Sequence, residues 1–128
     1  MSEAGRAVSA GSEVTKPWGS EFIWAVTDDY AGKILSINAG HKLSLQYHES
    51  KDETILVLEG RLRLHTGASE SSLTTADLGP GEYSHIPPRL VHRFEAIVDT
   101  KLIEVSTAQL DDVVRLADDY GRQGTSQP

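Results

Sequence analysis

The sequence has no cysteine. That removes any disulfide framework and any thiolate ligand, so a metal site in this chain must use nitrogen and oxygen donors. It has no apolar run approaching transmembrane length, and residues 1–15, MSEAGRAVSAGSEVT, lack the apolar core of a signal peptide. Basic residues are scarce: 12 Lys and Arg stand against 19 Asp and Glu, a net charge of -7. This balance disfavours nonspecific binding to nucleic acid or to an anionic membrane, although it leaves room for a locally basic pocket. There is no internal repeat and no long low-complexity segment. The expectation is a soluble cytoplasmic protein, and 128 residues suit one domain with one core.

Two stretches carry the chemistry. In SLQYHESKDETILVLEG, Gln46 and His48 are two apart, Glu53 follows five residues later, and Gly60 closes the run. A strand sends alternate side chains to one face, so an extended 42–48 segment points Gln46 and His48 one way and Leu43, Leu45 and Tyr47 the other. Glu53 opens the apolar run Ile55 to Leu58 and can face back across that pair. In GEYSHIPPRLVHRF a Pro-Pro turn precedes Val91 and can deliver His92 to the same point. Two imidazoles, a carboxylate and a nearby amide oxygen form a shell suited to iron(II), zinc, manganese, cobalt or nickel.

The rest of the chain reads as short strands between Gly, Pro and Asp turns: Glu21 to Val26, Lys33 to Ile37, Arg61 to His65, Leu73 to Leu78, Ser84 to Pro87, Val91 to Ala96 and Lys101 to Ser106. Strands of this number and length predict an all-β barrel or sandwich. Residues 1–15 offer too little apolar surface to offset ordering entropy and read as a mobile tail. Near the other end, Leu110, Val113, Val114 and Ala117 recur at helical spacing with Gly121 as a stop, which predicts a short helix on the outside of the barrel. Residues 123–128 read as frayed, leaving 16–122 as the domain.

The two stretches resemble the paired motifs of the cupin superfamily. Gly40, Gln46, His48, Glu53 and Gly60 are similar to the first motif, and Gly81, Pro87 and His92 to the second, with Arg89 and Ala96 departing from its usual residues. Within the cupins, Lys16-Pro17-Trp18-Gly19, the segment Leu43 to His48, Ile86-Pro87 to Arg93, Leu102 to Val105, and Asp111 to Arg122 look like the C-terminal domain of type II phosphomannose isomerases. The resemblance implies a small jelly-roll barrel holding a divalent metal through Gln46, His48, Glu53 and His92. It also implies aldose-ketose isomerisation of a sugar phosphate, a homodimer, and a stand-alone version of a domain often fused to a guanylyltransferase. Arg115 and Arg122, like Arg93, occupy positions where that family also has Arg. Two departures stand inside the first motif: Lys51 replaces an Arg, keeping charge but losing the bidentate fork, and Thr54 replaces a His.

For an isomerase, a base must carry a proton between adjacent carbons, and the candidates are Lys51, His85 or a metal-bound hydroxide. Arg61, Arg63 and Arg93 are the phosphate candidates if their strand face is the interior one, with Arg93 also placed to act at the reacting centre. Two other readings use the same residues. His48, Glu53 and His92 form a two-His, one-carboxylate set, the arrangement of iron(II) oxygenases. Alternatively, the barrel binds a sugar or metabolite without catalysis. His41 and His65 read as surface or structural residues, and Trp18, Trp24 and Tyr47 as core or dimer-interface aromatics.

Overall fold

The computed structural model describes residues 8–124, and among them there is no helix. The chain forms eleven strands: β1 (Ser12–Lys16), β2 (Gly19–Val26), β3 (Ala31–Ile37), β4 (Leu45–Tyr47), β5 (Glu53–Glu59), β6 (Leu62–Gly67), β7 (Thr74–Leu78), β8 (Tyr83–Ile86), β9 (Val91–Ala96), β10 (Thr100–Ser106) and β11 (Val114–Ala117). They make two antiparallel sheets, a six-stranded one ordered β1-β2-β3-β10-β5-β8 and a five-stranded one ordered β11-β4-β9-β6-β7. The expected short strands are present within a residue or two, because each is bounded by turn residues that end its pairing. At one such turn Gly60 has a φ of 92°, and a Cβ there would meet the Asp99 carbonyl oxygen at 2.3 Å. Only glycine fits that corner.

Alternation along each strand sorts the side chains. Leu35 and Ile37 of β3, Ile55 and Val57 of β5, Leu62 and Leu64 of β6, Phe94 and Ala96 of β9 and Leu102 of β10 face inward and join Trp18, Leu78 and Ile86 in one apolar core. Burying each large aliphatic side chain stabilises the fold by roughly 1.5–3 kcal/mol. Their neighbours on each strand face outward, as the period of two requires.

Three expectations are corrected. The segment 110–121 is not a helix: residues 110–113 form a turn, and Val114–Ala117 pairs with β4 as β11. The β-branched pair Val113-Val114 suits a strand, and pairing covers the otherwise open edge of β4, so tertiary hydrogen bonding overrides the local helical period. Val113 and Arg115 are both buried, which is a period of two rather than 3.6. At the other end, residues 12–15 are not a loose tail. They pair with β2 from Ser12 opposite Ile23 to Lys16 opposite Gly19, with backbone ladder bonds supplying what composition lacks. Residues 1–7 and 125–128 lie outside the described residues. Gln123 and Gly124 were expected to fray, yet the Gly124 amide donates to the Arg115 carbonyl at 3.1 Å. No helix among the described residues is long and apolar enough to cross a membrane.

Candidate metal centre and its pocket

β4 and β9 lie side by side with Gln46 opposite His92, and His48 follows directly on β4. A tight 49–52 turn then leads into β5, whose first residue is Glu53. The turn is tied down from across the barrel. The Asp112 carboxylate accepts the amides of Glu49, Ser50 and Lys51 at 2.9, 2.7 and 2.9 Å. These bonds outweigh partial burial and hold the Asp112 carboxyl below its ordinary value. The same residue's backbone carbonyl accepts Nδ1–H of His48. His92 is oriented in the same manner, its Nδ1–H donating to the Leu90 carbonyl at 2.9 Å.

With both Nδ1 atoms facing backbone carbonyls, each ring turns its Nε2 inward towards Glu53. His48 Nε2 lies 3.1 Å and His92 Nε2 3.3 Å from Glu53 Oε1, and all three side chains are buried. One ligand atom from each falls within 4.8 Å of the others. His92 Nε2 and Glu53 Oε2 have no hydrogen-bond partner. Two imidazole nitrogens and a carboxylate that converge in a dry site, two of their atoms unmatched, fit a divalent cation, since a buried polar atom left unmatched is costly. Gln46 lines the adjoining pocket, its amide oxygen accepting from Ser44 Oγ.

Charges inside the barrel support this cluster. Lys51 is buried between Glu53 and Glu104, its Nζ 3.6 and 3.4 Å from their carboxylates. Burial works to raise the Glu53 carboxyl, but the His48 and His92 rings and the Lys51 ammonium outweigh it and hold the group well below the usual carboxylate range. Glu104 goes the other way. Burial, with the Glu53 charge beside it, pushes its carboxyl up to about 8 despite Lys51. Burial works against the charge on Lys51, but Glu104 and Glu53 prevail and raise it.

A pocket of about 550 Å³, including its open mouth, adjoins the cluster. His48 belongs to both. Its walls carry five cationic side chains, Lys16, Lys33, Lys51, Arg115 and Arg122, against the carboxylates of Glu21 and Glu104, with Trp18, Leu35, Leu43 and Phe94 as the apolar floor. Glu21 bridges Lys16 at 3.8 Å and Lys33 at 3.5 Å, and Asp118 holds Arg122 at 3.0 Å. Burial, joined by the charges of Lys33, Arg122 and Arg115, lowers the Lys16 ammonium although Glu21 opposes. Burial and the Arg122 charge likewise lower the Arg115 guanidinium.

Of the residues expected at the site, the structure brings together His48, Glu53, His92, Gln46, Lys51, Arg115 and Arg122. Four others are elsewhere. Leu62 and Leu64 take the inward positions around β6, so Arg61 and Arg63 point outward and meet Asp77 at 3.7 and 3.0 Å on the surface. Arg93 alternates with the inward His92 and Phe94. It donates to the Leu43 carbonyl at 2.8 Å and to Asp119 at 2.9 Å, outside the pocket. His85 alternates with buried Ile86 and sits on the outer face, 2.6 Å from Asp52. Four pocket residues escaped the sequence reading: Lys16, Glu21, Lys33 and Glu104. A signal existed for two of them, because Lys33 is in phase with Leu35 and Ile37, and Glu104 with Leu102, so each is a charge on an inward face.

Comparison with known proteins gives the family and the fold. The family model of the mannose-6-phosphate isomerase C-terminal domain matches residues 4–118. The chain belongs to that cupin family. It is 35% identical over 115 residues to a mannose-1-phosphate guanylyltransferase of Escherichia coli strain K12, covering 86% of this chain and 23% of that protein. It is 31% identical over 121 residues to the alginate biosynthesis protein AlgA of Pseudomonas aeruginosa, covering 91% of this chain and 24% of that one. This cupin thus spans less than a quarter of the length of those relatives. Among solved structures it shares its fold with KdgF from Halomonas sp., at a TM-score of 0.68 and 20% identity over 80% of this chain and 89% of that one. Oxalate decarboxylase from Bacillus subtilis gives a TM-score of 0.70 at 16% identity, over 83% of this chain and 30% of that one.

Proposed function

We propose that this cupin is a divalent-metal-dependent isomerase of a sugar phosphate, with a mannose-6-phosphate-like hexose as substrate. The observation that carries the reading is a pocket wall of Lys16, Lys33, Arg115 and Arg122 opening beside His48 of the ligand cluster. A protein with an overall charge of -7 gathers its cations there, at the place where a phosphorylated ligand would lie against a metal.

His48, Glu53 and His92 would hold the ion, with Gln46 as the fourth ligand. Bound there, it supplies a Lewis acid that polarises a carbonyl and stabilises developing negative charge. The chain's own residues do the rest. The two arginines suit a phosphate by their fork geometry and the two lysines by point charge. Trp18, Leu35 and Phe94 exclude water along the floor, which strengthens every charge interaction in the pocket. Lys51 keeps Glu53 ionised and so available as a ligand.

The family name supports a hexose 6-phosphate, and the pocket chemistry supports a phosphorylated rather than a neutral sugar. Calorimetry on metal-loaded protein tests this directly. Mannose 6-phosphate and fructose 6-phosphate should bind and interconvert, and mannose should not. Binding without interconversion would leave a sugar-phosphate-binding cupin. No response to either phosphate would remove the reading.

One observation favours iron(II) oxygen chemistry instead. The Gln46 amide oxygen is held by Ser44, which leaves a three-ligand set with open positions. Oxygen uptake by the ferrous protein with an organic substrate, and none with zinc or manganese, would establish that alternative.

A further inference from the structure

The segment 107–124 reaches both halves of the site. Towards the ligand cluster it presents Asp112, whose carboxylate holds the amides of the turn after His48 and whose carbonyl faces His48 Nδ1. Towards the pocket it presents Leu110, Val113, Arg115 and Arg122. The stretch 108–113 belongs to no strand and bonds within itself: the Leu110 amide donates to the Ala108 carbonyl at 2.9 Å, that of Asp112 to Gln109 at 3.4 Å and that of Val113 to Asp111 at 3.0 Å. Its start is pinned to the barrel, where the Thr107 amide donates to the Asp52 carbonyl and the Asp52 amide to Thr107 Oγ1, both at 3.0 Å. It then runs into β11, an edge strand beside β4. In that pairing Arg115 is opposite Gln46, and Gln46 is opposite His92, so one rung across three strands leads from the cationic wall to the ligand cluster.

We propose that Asp112 is a positioning residue that couples the two halves of the site. An anion gathered by Arg115 and Arg122 seats the segment, and through Asp112 the seated segment holds His48 and Glu53 together as ligands of the metal ion. This coupling rests on the reading of the site given above, with a metal at the cluster and a phosphate at the cationic wall. The 49–52 turn that Asp112 ties down joins two of the three ligand residues, so its position bears on both. The cost of ordering the segment is met by whichever ligand binds first, and the second therefore binds more tightly. Such coupling is reciprocal: the anion tightens the metal by the factor with which the metal tightens the anion. Direct attraction between a bound cation and a bound anion couples them as well, but that part survives a change at Asp112, because the ligands and the arginines remain.

Titration of the full chain with manganese(II), with and without saturating mannose 6-phosphate, measures the coupling factor, which should lie between about 5 and 150. In Asp112→Asn, which keeps the size of the side chain but not its charge, manganese should bind about 10- to 100-fold more weakly. The coupling factor itself should fall by about threefold or more, whereas a merely structural residue would weaken each ligand and leave the factor unchanged. In the wild-type protein without metal, mannose 6-phosphate should slow hydrogen exchange of the Glu49, Ser50 and Lys51 amides by about threefold or more, a measurement that needs no variant to fold. A factor unchanged in the folded variant, or turn amides that exchange as before with the phosphate bound, would overturn the proposal and leave metal and phosphate binding in place. Absence of manganese binding, or of any response to mannose 6-phosphate, would overturn the reading of the site and this coupling with it.

Discussion

Two neighbouring rungs inside the barrel, only two residues apart, have opposite characters. In one, Leu35 faces Leu102, which faces Val57, and all three are buried. In the next, Lys33 faces Glu104, beside Lys51 and Glu53, and these four are buried as well. The first rung is core, stabilised by area removed from water. The second does not stabilise on its own, because removing charges from water costs several kcal/mol each and mutual attraction returns only part of that. The barrel therefore spends stability at one end of its interior, and that end adjoins the ligand cluster and the cationic pocket. Burial alone does not tell a structural residue from a functional one here. The chemistry of the rung does.

Substitutions at the two rungs should separate those roles. The largest effect belongs to the ligands: His48→Ala or His92→Ala should reduce bound divalent metal from stoichiometric to background by elemental analysis. Unchanged metal content would sink the site. Next comes Lys51→Met, which leaves the Glu53 carboxylate buried without its cation, beside a Glu104 carboxyl pushed up to about 8, and should cost about 3–5 kcal/mol in denaturant unfolding. Pairing it with Glu104→Leu should recover part of the loss, and no recovery would mean that the two side chains are not coupled. On the apolar rung, Leu102→Ala should cost about 2–5 kcal/mol while the folded protein keeps its full metal content. Lost metal in that variant would mean the two ends are not separable.

Asp112 lies between the two regions in effect. Its carboxyl is held below its unfolded value, so its contribution is fully present above the unfolded value of about 4 and is lost as pH falls through the folded one. Asp112→Ala should cost about 1–3 kcal/mol at pH 7 and progressively less in acid, where the wild-type carboxyl is protonated too. A cost independent of pH down to pH 2 would contradict the role of its carboxylate as the acceptor for the 49–51 amides. The smallest effect should be Arg63→Ala on the outer face of β6. Its ion pair with Asp77 is exposed to solvent, and such pairs contribute little. Phosphate affinity should not change, and a tenfold loss would return Arg63 to the site.

Local pattern and tertiary placement contributed differently. The strand habit, the turn glycines and the clustering of His48, Glu53 and His92 were legible because each depends on short spacings: alternation within β4, a tight turn, and a Pro-Pro turn ahead of β9. Arg61 and Arg63 were misplaced because alternation says that two residues share a face and not which face is interior. Their neighbours Leu62 and Leu64 decide that. Lys33 and Glu104 were missed for the complementary reason: a charge in phase with core residues looks like an error in the pattern until a pocket accounts for it. The 110–121 segment misled because four apolar residues fit the helical period, while its true partner, β4, is more than sixty residues away in the chain.

By itself, then, the sequence determined an all-β chain of short strands, the three residues that converge as a candidate metal site, and the exclusion of thiolate and disulfide chemistry. Each of these follows from residue type and near-neighbour spacing. Only the tertiary structure decided which charges are inside. The cationic wall draws Lys16 from β1, Lys33 from β3, Lys51 from the turn before β5, and Arg115 and Arg122 from the chain end. Side chains so far apart in sequence meet only where the sheets close around them, and in that low-dielectric space their charges interact strongly enough to shape a site.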